Sequence, residues 1–169
     1  LVPFDFQKLK DILFSWQTGM TEHNAWNAVF WCNHDQPRVV SRFGDEGEYW
    51  KQSAKMLGTV IHCLRGTPYV YQGEEIGMTN PGFTSLDQYR DVESINHFHI
   101  LRDRGLHEDS AYDILRVHSR DNSRTPMQWD SSEGGGFSEA EPWISMNPNH
   151  KTINAASQVD DPDSIFAHY

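Results

Sequence analysis

The sequence predicts an α/β fold built around a parallel sheet, and three observations support that prediction. Helical and strand-like patterns alternate along the first half of the chain with short connections, which is the order that βα units produce. The two strand-like segments are short and continuously apolar, as expected for strands buried on both faces. Polar residues follow each of them directly. Because two strands cannot complete a parallel sheet, the chain is expected to form part of a larger fold.

The first predicted elements are an amphipathic helix and a buried strand. The helix covers roughly residues 5–17, and Gly19 is expected to end it. Its apolar stripe has helical spacing and consists of Leu9, Ile12, Leu13 and Trp16. The apolar run at 28–32 is too short for a typical helix and predicts the first strand.

A second helix and strand repeat the same order. The helix follows the loop at 44–47, and Gly66 supplies its stop. Its buried stripe is predicted to be Leu57, Val60, Ile61 and Leu64. Residues 67–71 are rich in β-branched and aromatic side chains and predict the second strand.

The remaining chain predicts two short helices and then a long region of loops. The spacing of Ser85 and Gln88 matches a capping box and indicates a third helix. Its expected stripe is Val92, Ile95 and His99, and a fourth helix near Asp109 is expected to bury Tyr112, Ile114 and Leu115. Periodicity fades from 119 to 169, where Trp129 and Trp143 are expected to anchor the packing.

Composition excludes several classes of function. Twenty-four acidic residues against fourteen basic ones give a formal net charge of −10, which argues against nucleic acid as a partner. No segment approaches the about 18 apolar residues that a membrane helix needs, so no membrane partner is expected. Cys32 and Cys63 lie in apolar segments and are interpreted as reduced core thiols, which favours a cytoplasmic protein. The nine histidines show no metal-ligand spacing, so neither a metal nor a cofactor is predicted.

The reactive side chains of a parallel α/β fold gather beyond the carboxyl ends of its strands. Two segments meet that rule, 33–36 and 72–75. A histidine beside an aspartate after a strand is more often structural, but it can also present a donor and an anion to one ligand. Glu74 and Glu75 are adjacent, so they point to opposite faces and are interpreted as structural support.

Three long motifs, FWCNHDQPR at 30–38, TPYVYQGEEIGM at 67–78 and SRDNSRTPMQWD at 119–130, resemble those of the α-amylase family of glycoside hydrolases. The first two are similar to its seventh- and eighth-strand motifs, and the third to a segment of its oligo-1,6-glucosidase branch. The resemblance implies the C-terminal part of a (β/α)8 TIM barrel. In that case residues 1–169 form a partial catalytic barrel that lacks strands 1–6 and the last barrel helix.

Cys32, between Trp31 and the Asn-His-Asp segment, resembles the trehalose-6-phosphate hydrolase type within this branch. That likeness implies a retaining α-glucosidase that cleaves trehalose 6-phosphate to glucose and glucose 6-phosphate. Two alternatives stay open. One is an oligo-1,6-glucosidase or dextran glucosidase acting on isomalto-oligosaccharides, and the other is a catalytically silent carbohydrate-binding or scaffold relative.

The resemblance also implies roles for single residues. Asp35 corresponds to the family's third carboxylate and is the catalytic candidate, while His34 and Arg120 are the substrate-binding candidates. The alternative for Arg120 is a surface ion pair with an acid such as Asp121. The family's nucleophile and acid/base would precede Leu1, so this chain alone is expected to be inactive, and its phosphate-binding residues are not assigned. The expected partner is a small sugar, and the isolated chain is expected to self-associate through its open sheet edges.

Overall fold

The computed structural model describes residues 5–169, and helices and strands alternate through its first half as predicted. The helices and strands are α1 (Phe6–Glu22), β1 (Ala28–Val29), α2 (Val39–Phe43), α3 (Trp50–Cys63), β2 (Thr67–Pro68), α4 (Val92–Asp103), α5 (Glu108–His118) and α6 (Ile165–His168). Single turns of 3-10 helix are Glu74–Ile76, Leu86–Gln88, Arg120–Ser123, Glu133–Gly136 and Pro148–Lys151.

The two strands pair in parallel, as the βα order requires. Ala28 lies opposite Thr67, and the Tyr69 amide donates to the Val29 carbonyl at 2.8 Å. Gly66 lets β2 begin close to the Asn27 backbone, because a Cβ atom at position 66 would lie 2.6 Å from the Asn27 carbonyl oxygen. The predicted strands at 28–32 and 67–71 were too long. Strand geometry is maintained by a hydrogen-bonded neighbour, and within residues 5–169 only this one pair of strands forms a sheet.

Helix α1 is longer and more exposed than its pattern predicts. It passes through Gly19, because a single glycine costs a helix only about 1 kcal/mol. Gln17 ties it to the end of α3, donating to the Arg65 carbonyl and accepting from the Arg65 amide. Ile12 and Trp16 of the predicted stripe are 47% and 59% exposed, so that part of the prediction was wrong.

The apolar residues form two main clusters. The first joins β1, α2, α3 and α6 and contains Val29, Trp31, Cys32, Val39, Val40, Ala54, Leu57, Ile61 and Ile165. Leu57 and Ile61 therefore confirm the stripe predicted for α3, with Val60 and Leu64 packed at the edge of the cluster. Cys63 is exposed, which corrects its interpretation as a core thiol, because it is the last residue of α3 and lies beyond the buried Ile61.

The second cluster joins α4 and α5, and it corrects the stripe predicted for α4. Asp91, not Ser85, is the N-cap residue of α4, and Gln88 accepts from the Ser85 amide within a separate turn. The buried face of the helix therefore carries Ser94, Phe98 and Leu101, while Val92 and His99 are exposed. Helix α5 buries Ala111, Tyr112 and Leu115, and Ile114 packs at the cluster's edge.

Residues 119–164 form loops and single 3-10 turns, close to the prediction, but the predicted loop region ends in the short helix α6, and buried polar side chains stabilise the loops. Asn147 donates to the Thr79 carbonyl at 3.0 Å, and Asn154 donates to the His150 carbonyl at 2.8 Å. Trp129 and Trp143 are 51% and 63% exposed, so their predicted anchoring role was wrong. Loops leave backbone polar groups without ladder partners, and short amide side chains satisfy some of those groups.

The helices of residues 5–169 include none that is both long and apolar enough to cross a membrane.

Candidate functional site

Asp35 lies in a tight turn that begins shortly after β1. The Asn33 side chain accepts the Asp35 amide at 2.8 Å, and the Asn33 carbonyl accepts the Gln36 amide at 3.2 Å. Below the turn, the Cys32 thiol accepts the Val39 amide at 3.0 Å. These bonds close the loop on itself. Because β1 and β2 are parallel, the turn follows the same end of the sheet as the loop after β2.

Two arginines and a histidine surround the Asp35 carboxylate, which remains open to solvent. Its Oδ1 lies 2.9 Å from Arg124 Nη2 and 3.7 Å from Arg120 Nη1, and its Oδ2 lies 3.3 Å from His34 Nε2. The Asp35 side chain is 45% exposed. The structure thus brings His34, Asp35 and Arg120 together, in an arrangement that can accept hydrogen bonds from a polar ligand.

Arg120 pairs with Asp91 and Glu93, and not with Asp121, which was the alternative partner suggested by the sequence. Its Nε and Nη2 donate to Asp91 at 3.1 and 2.8 Å, and its Nη2 lies 2.9 Å from Glu93. Asp121 instead points into the interior, so the ion pair between Arg120 and Asp121 does not form. Burial alone would raise the pKa of Asp91, but hydrogen bonds and charge from Arg120, with charge from Arg124, hold that pKa below its usual value.

Arg124 is the residue that the sequence interpretation missed. Its Nε donates to the His34 carbonyl and its Nη2 to Asp35, both at 2.9 Å, while its Nη1 lies 3.5 Å from Asp91. It is therefore in closer contact with the Asp35 turn than Arg120 is. The available signal was its place in the motif at 119–130, where it is the second arginine.

Asp121 holds the backbone of Asp91, the residue whose carboxylate Arg120 binds. Its side chain is fully buried, and Oδ2 accepts the backbone amides of Arg90 and Asp91 at 2.7 and 2.8 Å. The second oxygen lies 3.5 Å from Arg124 Nη1. One carboxylate thus joins the start of α4 to the turn that carries both arginines.

A cleft of about 480 Å³ opens beside Asp35 and Arg120. This volume is in the range of small-ligand pockets. The residues that line it are Asp35, Gln36, Pro37, Ser41, Arg42, Phe43, Glu93, Val117, His118 and Arg120.

Glu74 follows β2, is buried and does not line this cleft. It is 3% exposed, and its Oε1 accepts the Tyr169 hydroxyl at 3.1 Å. Burial raises its pKa from 4.5 to about 7, although the Tyr169 hydroxyl and the Tyr71 backbone act to lower it. Glu75, its neighbour, is only partly buried.

Glu74→Gln is expected to change the pH dependence of stability. The native pKa lies above the unfolded one, so the native state binds the proton more tightly, and stability is lost as pH rises from 4.5 to about 7. The substituted side chain of E74Q is neutral at every pH. The free energy of unfolding of E74Q relative to that of wild type should therefore rise by on the order of 3 kcal/mol across that range. Urea unfolding between pH 4.5 and 8 measures the gain. The exposed Glu139→Gln is the control, and parallel curves for wild type and E74Q would contradict the prediction.

Across residues 5–169, the His, Cys, Asp and Glu side chains form no group of three or more that could hold a metal ion.

Comparison with known proteins adds to this geometry. The family described as alpha amylase, catalytic domain, matches residues 1–169. Trehalose-6-phosphate hydrolase of Bacillus subtilis (strain 168) is 57% identical over 169 residues, covering 100% of this chain and 30% of that protein. Oligo-1,6-glucosidase of Halalkalibacterium halodurans is 48% identical over 169 residues, with 100% and 30% covered.

The crystal structure of Bacillus licheniformis trehalose-6-phosphate hydrolase superposes on the chain with a TM-score of 0.97 at 58% identity. The match covers 100% of this chain and 30% of that one. The chain therefore spans about 30% of the length of the relatives that it matches.

Proposed function

Because the chain belongs to the α-amylase family, we propose that it is part of a retaining α-glucosidase that hydrolyses trehalose 6-phosphate to glucose and glucose 6-phosphate. The observation that carries this choice of substrate is the higher identity to a trehalose-6-phosphate hydrolase, 57%, than to an oligo-1,6-glucosidase, 48%. An enzyme acting on isomalto-oligosaccharides is the second candidate, because its relatives match the same residues.

In this proposal β1 and β2 are the seventh and eighth strands of a (β/α)8 barrel. Residues 1–169 are then a partial catalytic barrel, completed by strands 1–6 and a last helix from a longer protein. Two features support this assignment. The paired strands have no further strand beside them within residues 5–169, and α1 leaves Phe14 and Trp16 70% and 59% exposed. Barrel neighbours would cover both.

The chemistry proposed for Asp35 is stabilisation of the transition state. Its carboxylate would accept hydrogen bonds from the hydroxyls at positions 2 and 3 of the bound glucose and offset the positive charge that develops on the sugar ring. His34 would contact the same ring, and Arg124 holds Asp35 in place. Arg120, bound to Asp91 and Glu93, would meet the sugar at the rim of the cleft. The nucleophile and the acid/base would come from the rest of the longer protein, and this chain alone would not turn over substrate.

The partner proposed is a small sugar in the cytoplasm. The free thiols of Cys32 and Cys63 support a reducing compartment. The exposed Phe30 and Tyr69 beside the two strands support self-association of the isolated chain.

A substrate panel with the full-length enzyme tests the proposed function. We expect kcat/KM for trehalose 6-phosphate to exceed that for isomaltose by about 10²-fold or more, because a phosphate group adds charge-assisted contacts that isomaltose lacks. Release of glucose from each substrate near neutral pH measures the ratio. Cleavage of isomaltose without cleavage of trehalose 6-phosphate would select the second candidate. Inactivity towards both would favour the catalytically silent relative.

A further inference from the structure

Arg38 is a charged side chain in the interior, three residues beyond Asp35. It is 1% exposed, and within residues 5–169 it forms no ion pair with a carboxylate. Burying a guanidinium without a carboxylate partner is costly unless its donors bind other oxygens. The atoms that accept its hydrogen bonds therefore indicate the structural role of Arg38.

The Arg38 guanidinium joins segments that lie far apart in the sequence. Nη1 donates to the Gln72 carbonyl at 2.6 Å, in the loop after β2, and Nη2 donates to the Ser123 carbonyl at 3.3 Å. The guanidinium also lies 5.4 Å from the centre of the Tyr71 ring. One side chain therefore connects the loop after β1, the loop after β2 and the turn Arg120–Ser123.

The Ser123 end of this connection is reinforced on both sides. The Tyr71 hydroxyl donates to the Ser123 carbonyl at 3.0 Å, and the Ser123 hydroxyl donates to the Gln36 carbonyl. Arg124 is the next residue in the chain, and it holds both His34 and Asp35. A continuous path of contacts thus runs from Arg38 through Ser123 and Arg124 to the Asp35 carboxylate.

We propose that Arg38 is a positioning residue: it holds the turn Arg120–Ser123 at the distance from which Arg124 fixes Asp35. This inference rests on the proposed function and adds to it a residue that touches no substrate. The planar fork of arginine suits the task, because it directs two donors at two carbonyls at once, whereas lysine presents a point charge. Gly73 makes room for the fork, since a Cβ atom there would lie 3.0 Å from Arg38 Nη1.

Arg38→Lys and Arg38→Met in the full-length enzyme test the proposal. We expect kcat/KM to fall about 10–10²-fold in each, mainly through kcat, because a displacement of Asp35 by about 1 Å costs on that order. Asn154→Ala is the matched control. Asn154 is 3% exposed and also bridges two backbone groups, the His150 carbonyl and the Ser157 amide, but it contacts neither Asp35 nor an arginine of the site. The control should keep kcat even where its melting temperature falls as far as that of the Arg38 variants.

A double-mutant cycle with Asp35→Asn separates positioning from a general structural effect. If Arg38 acts through Asp35, Arg38→Met should cost no more than about two- to threefold in the D35N background, because the group it positions is already lost. Equal losses in both backgrounds would overturn the proposal, as would an R38M kcat within about twofold of wild type.

Ser123→Ala serves where the Arg38 variants do not fold. It removes the hydroxyl that binds the Gln36 carbonyl, and we expect a smaller loss of kcat, again much reduced in the D35N background. The same loss in the wild-type and D35N backgrounds would overturn the proposal. Failure of the proposed function would look different, because the wild-type enzyme itself would then leave trehalose 6-phosphate uncleaved.

Discussion

Asp35→Asn in the full-length enzyme is expected to lower kcat by about 10²–10³-fold, the loss typical of removing one preorganised stabilising group. The carboxylate lies 2.9 Å from Arg124 and 3.3 Å from His34, and its side chain is 45% exposed, so it is both held and open to a ligand. Asparagine has the same shape and can still accept from Arg124, but it lacks the negative charge that would offset an oxocarbenium-like transition state. Initial rates with trehalose 6-phosphate, taken at saturation, measure the loss.

The control for this prediction is Asp109→Asn, which removes a charge from the exposed start of α5. Its kcat should match that of wild type. The melting temperatures of wild type and D35N should also agree, because the contacts of an exposed carboxylate contribute little to stability. Turnover by D35N within a few-fold of wild type would mean that Asp35 does not contact the transition state.

Asp121→Ala is expected to lower the free energy of unfolding by about 3–5 kcal/mol. The substitution leaves the backbone amides of Arg90 and Asp91 without an acceptor in the interior, where an unmade hydrogen bond costs about 1–3 kcal/mol. It also removes a negative charge 3.5 Å from Arg124 Nη1. Denaturant unfolding of wild type and variant measures the difference.

The comparison for Asp121 is Asp163→Ala, whose carboxylate binds Lys51 and Lys55 at 2.8 and 2.6 Å on the surface. Exposed ion pairs contribute little, so a much smaller loss is expected for D163A than for D121A. Equal losses for the two variants would show that burial of Asp121 adds nothing. A selective loss for D121A would tie the stability of this region to the start of α4.

The position of the turn that carries His34 and Asp35 could be predicted from the sequence, because it depends on a local rule. A buried apolar run followed at once by polar residues indicates where a strand ends, and the structure places His34 and Asp35 in the turn beyond β1. The length of the strands could not be predicted in the same way. Residues 30–32 are apolar and suited to a strand, yet strand geometry needs a paired neighbour, and residues 5–169 supply none for them.

The partners of Arg120 and Arg124 could not be predicted from the sequence, for a different reason. Arg120 and Arg124 begin and follow a single 3-10 turn, and the direction of each side chain depends on how that turn packs. Asp91, which binds Arg120, lies 29 residues away and has no periodic pattern that links the two. The capping spacing at Ser85 likewise marked a separate turn, so the stripe predicted for α4 was displaced around the helix.

The contact between Tyr169 and Glu74 joins residues 95 positions apart, and this separation matters during synthesis. A ribosome needs roughly 5–20 s to add that much chain. Until Tyr169 emerges, nothing donates to the Glu74 carboxylate from that side, so the nascent chain carries it hydrated and ionised at neutral pH. Closing this region then encloses the group where burial raises its pKa to about 7, so closure becomes more favourable as pH falls below that value.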